Sequence, residues 1–227
     1  MPEDELAISL GGERVVALAE RALYWPTAGT LFVADVHFGK DATFRQARRW
    51  VPPGTTEHDL ERLTRLIERH DVRRLVILGD AFHSEHAEEP ATVEELLQWR
   101  ARVPIEILMV RGNHDRRVDA IAERLQFSME EEGALLAPWS LHHHPATSSD
   151  NYVLCGHVHP VILARGGARQ RLRLPCFWAD DQRCILPAFG GFTGGGLVKP
   201  RRGDQVVVVA GDRVMLALTE REAKRET

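Results

Sequence analysis

Residues 75–83 read LVILGDAFH: four apolar side chains, an abrupt Gly-Asp, and a histidine three residues beyond the aspartate. A short run rich in leucine and β-branched residues, closed by glycine, reads as a strand that delivers polar residues at its end. The same pattern recurs. LFVA (31–34) runs into DVHFGK, IEILMV (105–110) into RGNHD, and YVLC (152–155) into GHVHP. Between these runs Leu60, Leu63 and Ile67 recur at helical spacing after Thr56, a candidate N-cap, and Val93, Leu96 and Leu97 follow Thr92 in the same manner. Strand-like runs alternating with amphipathic helices predict layered α/β architecture. After residue 160 the pattern changes to short pieces such as RLRLPCFW (171–178) and VVVVA (206–210), separated by Gly and Pro, which predict a second sheet packed on the first.

The 227 residues are 44% apolar, enough for the core of one large domain, so a single domain over residues 1–227 is expected. Lys plus Arg number 29 against 33 Asp plus Glu, a net charge of -4, which argues against a protein that coats nucleic acid indiscriminately. The charge is unevenly placed: residues 1–150 carry 17 basic and 26 acidic side chains, whereas residues 151–203 carry 8 and 2. Cys155, Cys176 and Cys184 show no paired spacing of the zinc or redox kind and read as reduced core thiols. Acids at Glu3, Asp4 and Glu5 and the lack of a long apolar stretch give no sign of a secretory signal or a membrane span, so a cytoplasmic protein with no membrane partner is expected.

Five segments carry the chemistry: DVH (35–37), GDAFH (79–83), GNHD (112–115), HHHP (142–145) and GHVH (156–159). Taken alone, DVH is an ordinary loop pair, although in an extended chain Asp35 and His37 project from one side and can converge. Each segment sits where an apolar run ends, and in α/β folds the carboxyl ends of strands are where ligands gather. Carboxylate, amide oxygen and imidazole suit manganese, zinc or iron, and the lack of nearby thiolates argues against a purely structural zinc site. A carboxylate shared between two ions holds them about 3.5–4 Å apart, the arrangement that activates water for in-line displacement at phosphorus.

The series DxH, GDxxH, GNHD, H and GHxH resembles the calcineurin-like metallophosphoesterase superfamily. The resemblance implies an α/β fold in which a two-sheet β-sandwich is flanked by helices. It implies that Asp35, His37, Asp80 and His159 hold one divalent ion and that Asp80, Asn113, His143 and His157 hold a second, with Asp80 bridging. It further implies His114 as general acid, with Asp115 orienting it. More narrowly, DVHFGKDATFR (35–45), GDAFH, RGNHD, GHVHP and PAFGGFTGG (187–195) resemble the ligase-associated DNA damage response endonuclease family (PdeM), over about residues 21–200. That likeness implies a DNA endonuclease of DNA repair, functionally associated with a DNA ligase and a helicase. Two Mn2+ ions are then expected, with Zn2+ or Fe as alternatives. GDxFH is also similar to the DNA-repair nuclease branch of the superfamily, where its last histidine is an additional active-site residue, here His83. The chain departs from the family at His143-His144-Pro145, where His-Glu-Pro is more common. Aligning on Pro145 selects His143 as ligand, with His142 as the fallback.

Fold and metal centre are shared by phosphatases, nucleotide hydrolases and nucleases, so the substrate must be argued from elsewhere. Alternation in RLRLP places Arg171 and Arg173 on one face, where they either meet a phosphate backbone or form an ordinary solvated basic face. Lys40 and Arg45 follow the first motif and either reach substrate phosphate or pair with ligand carboxylates; Arg111 reads as structural. GGFTGGG (190–196) lacks the Lys-Ser/Thr of a phosphate-binding P-loop and reads as a flexible surface loop. A small-molecule or nucleotide phosphoesterase is the alternative to a DNA endonuclease. A catalytically silent scaffold ranks below both, because every ligand position is filled.

Overall fold

The computed structural model describes residues 3–41, 54–83, 89–115, 117–148, 150–165, 171–191 and 193–217, so Arg45 lies outside the described residues. The first sheet has seven strands in sequence order, β1 (Glu5–Leu10), β2 (Glu13–Leu18), β3 (Leu23–Trp25), β4 (Thr30–Val33), β5 (Arg74–Leu78), β6 (Glu106–Val110) and β7 (Ser128–Glu130). Pairing is antiparallel from β1 to β4 and parallel from β4 to β7.

The second sheet comprises β8 (Ala134–Leu136), β9 (Trp139–Leu141), β10 (Tyr152–Cys155), β11 (Pro160–Arg165), β12 (Arg171–Ala179), β13 (Arg183–Ile185), β14 (Gly196–Leu197), β15 (Gln205–Ala210) and β16 (Arg213–Leu216). It runs in the order β14-β11-β12-β13-β10-β9-β8, with β15 and β16 joined through β12. Strand β10, the YVLC run, therefore belongs to the second sheet, beside parallel β9 and β13, and does not continue the first. Its apolar composition resembles that of β4 to β6 because parallel strands in either sheet are covered on both faces.

That double burial is visible residue by residue. Leu31, Val33, Leu75, Ile77, Ile107 and Met109 face the helices, while Phe32, Val76, Leu78 and Val110 alternate with them and face the second sheet. The helices are α1 (Thr55–Arg69), α2 (Pro90–Arg102) and α3 (Asp119–Arg124). Leu60, Leu63 and Leu66 of α1 and Val93, Leu96 and Trp99 of α2 join the helix-side core. Trp139, Leu141, Leu154, Phe177 and Leu186 of the second sheet meet Phe32 and Leu78 in the inter-sheet core. Each fully buried side chain of this size contributes about 1.5–3 kcal/mol. Among the described residues helices lie on one side only, so the flanked sandwich is a helix, sheet, sheet stack. None of these helices is long and apolar enough to cross a membrane.

Both expected helix caps are displaced. Helix α1 is preceded by Gly54 in the left-handed region (φ 77°), and Thr56 lies inside it. The Thr56 hydroxyl instead accepts from the Gly39 N–H (3.2 Å) and donates to Asp41 (3.2 Å), anchoring the first motif loop to the helix. Helix α2 opens at Pro90, whose missing N–H is not needed in a first turn, and Thr92 falls within that turn.

Candidate metal centre

Parallel β4 and β5 end at the same edge of the first sheet, and their loops continue the pairing beyond the strands. Asp35 N–H donates to Gly79 O (3.2 Å), His37 N–H to Asp80 O (3.0 Å) and Phe38 N–H to Ala81 O (2.7 Å). On the second sheet the loops after β9 and β10 are paired in turn, Gly156 N–H donating to His143 O (3.1 Å). The segment after β13 stitches the two edges together, with Phe189 N–H on Ala34 O (2.8 Å) and Gly190 N–H on Asp35 O (3.2 Å). Five loops from two sheets thus meet at one rim.

The backbone there is strained. Asp35 (φ 53°), His37 (58°), Asp80 (48°), His157 (69°) and His159 (48°) are left-handed, five of the eight such non-glycine residues among those described. Each costs on the order of 1–3 kcal/mol and persists only where its surroundings over-determine it. Asp35 and His37 therefore converge through two left-handed turns, not through the extended chain that their spacing suggested. Two glycines allow the loops to close. A Cβ on Gly79 would lie 2.2 Å from His143 Nδ1, and one on Gly112 would lie 2.2 Å from both the main-chain N and Oδ1 of Asp80.

The convergent atoms form two groups that share Asp35. Asp35, His37 and His159 present ligand atoms within 4.8 Å of one another, as do Asp35, Asp80 and His143. His143 is fully buried, with Nε2 2.9 Å from Asn113 Oδ1, 3.0 Å from His157 Nδ1 and 3.5 Å from Asp80 Oδ2. Main-chain donors hold the carboxylates in place. His157 N–H donates to Asp35 Oδ2 (2.9 Å), and His114 N–H to Asp80 Oδ1 (2.9 Å). Asp35 Oδ1 is 3.2 Å from His159 Nε2 without a well-directed hydrogen bond, and His37 Nδ1 is also buried without one. Orphaned lone pairs of this kind, buried among carboxylates and imidazoles, fit divalent cations.

The surroundings shift the imidazoles in different directions. Burial, followed by Lys40 and the neighbouring imidazoles, pushes His37 down to about 2, leaving its ring neutral. Burial and the nearby His143 and His144 lower His157 as well. His159 moves the other way: burial opposes the shift, but Asp35 outweighs it and raises the imidazole above its ordinary value.

Within the histidine triplet the structure separates the three rings. His143 points into the site, whereas His142 Nε2 turns to Ser140 Oγ (2.9 Å). His144 Nδ1 meets Glu132 Oε1 (3.1 Å), which also accepts the N–H groups of His143 (2.9 Å) and His144 (2.6 Å). The His144 ring lies 4.3 Å from that of His157, and His143, His144 and His157 form a third close group of potential ligands. Nothing in the sequence marks Glu132. It lies in a run of three acids with no spacing signal, and only the β8–β9 hairpin brings it beneath the triplet.

Asp115 does not orient His114. Its oxygens accept the N–H groups of Ala81 (3.3 Å), Phe82 (3.1 Å) and Gly112 (2.9 Å), so it locks the Asp80 loop to the Asn113 loop. Burial, against these bonds, pushes its carboxyl up to about 6. Arg111 is structural, donating to Asp115 O (2.9 Å), Asp119 (2.6 Å) and Glu131 (3.0 Å). The His114 side chain is 43% exposed, with Nε2 3.9 Å from Asp80 Oδ2, and its ring stacks on His83 at 5.7 Å. A cleft of ≈ 520 Å³ opens over these groups, walled by Lys40, His83, His114 and Thr193–Gly196. Lys40 Nζ donates to Thr193 Oγ1 (3.0 Å).

The described residues of the glycine-rich segment, 190–191 and 193–196, do not form a loose surface loop. Gly191 N–H donates to Asp59 of α1 (2.8 Å), Gly194 O receives His159 Nδ1 (2.9 Å), and Gly196 begins β14. Arg173 donates to Gly195 O and so supports this cleft wall, while Arg171 lies exposed at the far end of β12.

A family model described as calcineurin-like phosphoesterase matches residues 30–187. No curated protein sequence matches. Among solved structures the chain is similar to that of the nuclease MPE from Pseudomonas putida, with 39% identity and a TM-score of 0.83, covering 94% of this chain and 100% of that one. The matched segment spans β4 to the loop after β13 and so includes all five motif loops. The chain therefore belongs to the calcineurin-like phosphoesterase family and is a metal-dependent hydrolase of phosphate esters.

Proposed function

We propose that the chain is a two-metal phosphodiesterase that cleaves DNA. The observation that carries the reading is the convergence of two carboxylates, one amide and four imidazoles from both sheets at a single cleft, with Asp35 and His143 buried beneath it and Asp35 Oδ1 and His37 Nδ1 buried and unsatisfied. Asp35, His37, Asp80 and His159 would hold one ion, and Asp80, Asn113, His143 and His157 the other. Two such ions activate water and neutralise charge on the phosphoryl group. Manganese suits this mixture of oxygen and imidazole donors, with zinc or iron also compatible.

The chain's own residues supply the rest. Asp80 is held through Oδ1 by the His114 N–H, which leaves Oδ2 turned toward His143 and in position to be shared. Its loop is fixed to that of Asn113 by Asp115, so the two halves of the site keep their spacing. His114, at the mouth, donates a proton to the departing oxygen, and His83 stacks behind it. Lys40, on the same wall, offers its ammonium to a non-bridging phosphate oxygen.

DNA as substrate draws on the likeness to the Pseudomonas putida nuclease and on the basic character of residues 151–203. A role in DNA repair, with a ligase and a helicase as functional associates in the cytoplasm, draws on the motif resemblance alone. The test is incubation of the protein with supercoiled, linear and single-stranded DNA under Mn2+, Mg2+, Zn2+ and no metal. Metal-dependent nicking or shortening is expected. Turnover of a nitrophenyl diester with every DNA intact would replace this reading by a small-molecule phosphoesterase.

A further inference from the structure

The two halves of the metal centre draw on different donors. Asp35, Asp80, His37 and His159 offer two carboxylates and two imidazoles, whereas Asp80, Asn113, His143 and His157 offer one shared carboxylate, one amide and two imidazoles. Beside the second set stands an imidazole that neither set uses. His144 occupies the position where the family more often has glutamate, and its ring centroid lies 4.7 Å from that of His143 and 4.3 Å from that of His157. His143, His144 and His157 present ligand atoms within 4.8 Å of one another, as close a mutual approach as in the two groups that share Asp35.

The surroundings of His144 are those of a metal-binding imidazole. Its Nδ1 meets Glu132 Oε1 at 3.1 Å, and the same oxygen accepts the main-chain N–H groups of His143 (2.9 Å) and His144 (2.6 Å). A ligating histidine characteristically gives its other ring N–H to a carboxylate, which fixes the tautomer, holds the ring and makes the remaining nitrogen a better donor to the metal. An ionised carboxylate only accepts, so in the neutral ring Nδ1 carries the proton and Nε2 the lone pair. That Nε2 has no hydrogen-bond partner among the described residues. The side chain is 47% exposed, so a hydrated ion reaches it without disturbing the core. Three neutral imidazoles gain little from one another, and a shared cation gives them a common partner.

We propose that His144 is a further ligand of the second ion, joining His143 and His157, and that it tilts this half of the centre toward zinc and away from manganese. The proposal rests on the two-metal reading and deepens it by naming a residue that selects the metal. Imidazole suits zinc and carboxylate suits manganese, so a histidine where the family more often has glutamate shifts the preference in that direction.

The experiment uses the full chain, freed of metal by dialysis against a chelator, beside His144→Ala and His144→Glu. Each is titrated with Zn2+ and, separately, with Mn2+ in competition with a metal-indicator dye. Loss of an outer partner of a ligand costs about 10- to 100-fold in metal affinity, and loss of a ligand costs at least as much. In His144→Ala the affinity for one of two zinc ions should therefore fall on the order of 10- to 100-fold or more, and that for manganese by less. His144→Glu should recover affinity for manganese but not for zinc. Titration with Co2+ supplies a readout that a merely supporting role would not move: the visible absorption of one bound cobalt should change in His144→Ala, because its ligand set changes. Parental zinc affinity and parental cobalt absorption in His144→Ala overturn the assignment and leave the two-metal centre standing. So does an equal loss of zinc and manganese with cobalt absorption unaltered, which would make His144 a prop for His157. A parental ratio of zinc to manganese affinity in His144→Glu overturns the selectivity. A parent chain that binds fewer than two zinc ions overturns the two-metal reading as well.

Discussion

Gly112 offers a stringent check on the site's geometry, because it binds no metal and yet determines how closely two ligand loops approach. A methyl group there would lie 2.2 Å from the main-chain N of Asp80 and 3.0 Å from its Cα, about 1 Å inside ordinary contact. Backbone cannot swing aside as a flexible side chain does, so the Asp80 loop and the Asn113 loop must separate by roughly that amount. Displacing catalytic groups by about 1 Å costs on the order of 10²-fold in rate. That factor corresponds to about 2.7 kcal/mol of transition-state stabilisation. Overpacking of this kind also removes about 1–3 kcal/mol of stability. Gly112→Ala should therefore lower kcat/KM on a nitrophenyl diester by about two decades and reduce bound metal per chain, while remaining folded by circular dichroism. Gly194→Ala is the matched control: it lies in the same cleft wall, and a Cβ there meets nothing within 4 Å. Gly112→Ala with parental turnover and metal content would refute the close approach of these loops.

Three further outcomes follow from named contacts. His143→Ala should lose metal and turnover far more than His142→Ala, because His143 Nε2 faces Asn113, His157 and Asp80 while His142 faces Ser140; metal analysis of the purified variants decides it. His114→Ala should keep its metal and lose on the order of 10²–10⁴ in DNA cleavage, with a smaller loss on a nitrophenyl diester, whose leaving group departs without a proton. Equal damage on both substrates, with metal depleted, would make His114 a ligand. All three cysteines are buried, and burial raises Cys155 and Cys176 to about 12 and Cys184 well above the thiol range, so none should react with a thiol reagent at pH 8 until denaturant is added. Labelling of the native protein would contradict their placement.

Much was legible in the chain alone. Runs such as LVILGD and YVLCGH announce buried strands because their apolar residues are continuous and their breakers abrupt, and the order of the five polar segments carries the family. The likeness of those runs to one another also misled, since an apolar strand looks the same in whichever sheet it is buried. Thr56 and Thr92 carried the chemistry of caps, but Gly54 and Pro90 set the helix starts and left the Thr56 hydroxyl for Gly39 and Asp41. The glycine-rich segment looked loose because composition does not reveal hydrogen-bond partners, and its partners Asp35, Asp59 and His159 are remote in sequence.

Residue identity by itself determined which donor atoms were available, and hence the affinity for divalent ions and the phosphate-ester chemistry, because ligand hardness is a property of side chains and needs no fold to be stated. Only the tertiary structure decided which of three adjacent imidazoles enters the site, that Asp115 serves the backbone and not His114, and that Glu132 supports the triplet. Those outcomes depend on left-handed turns, on glycines that admit loops remote in sequence, and on the β8–β9 hairpin of the second sheet, none of which residue type or spacing announces.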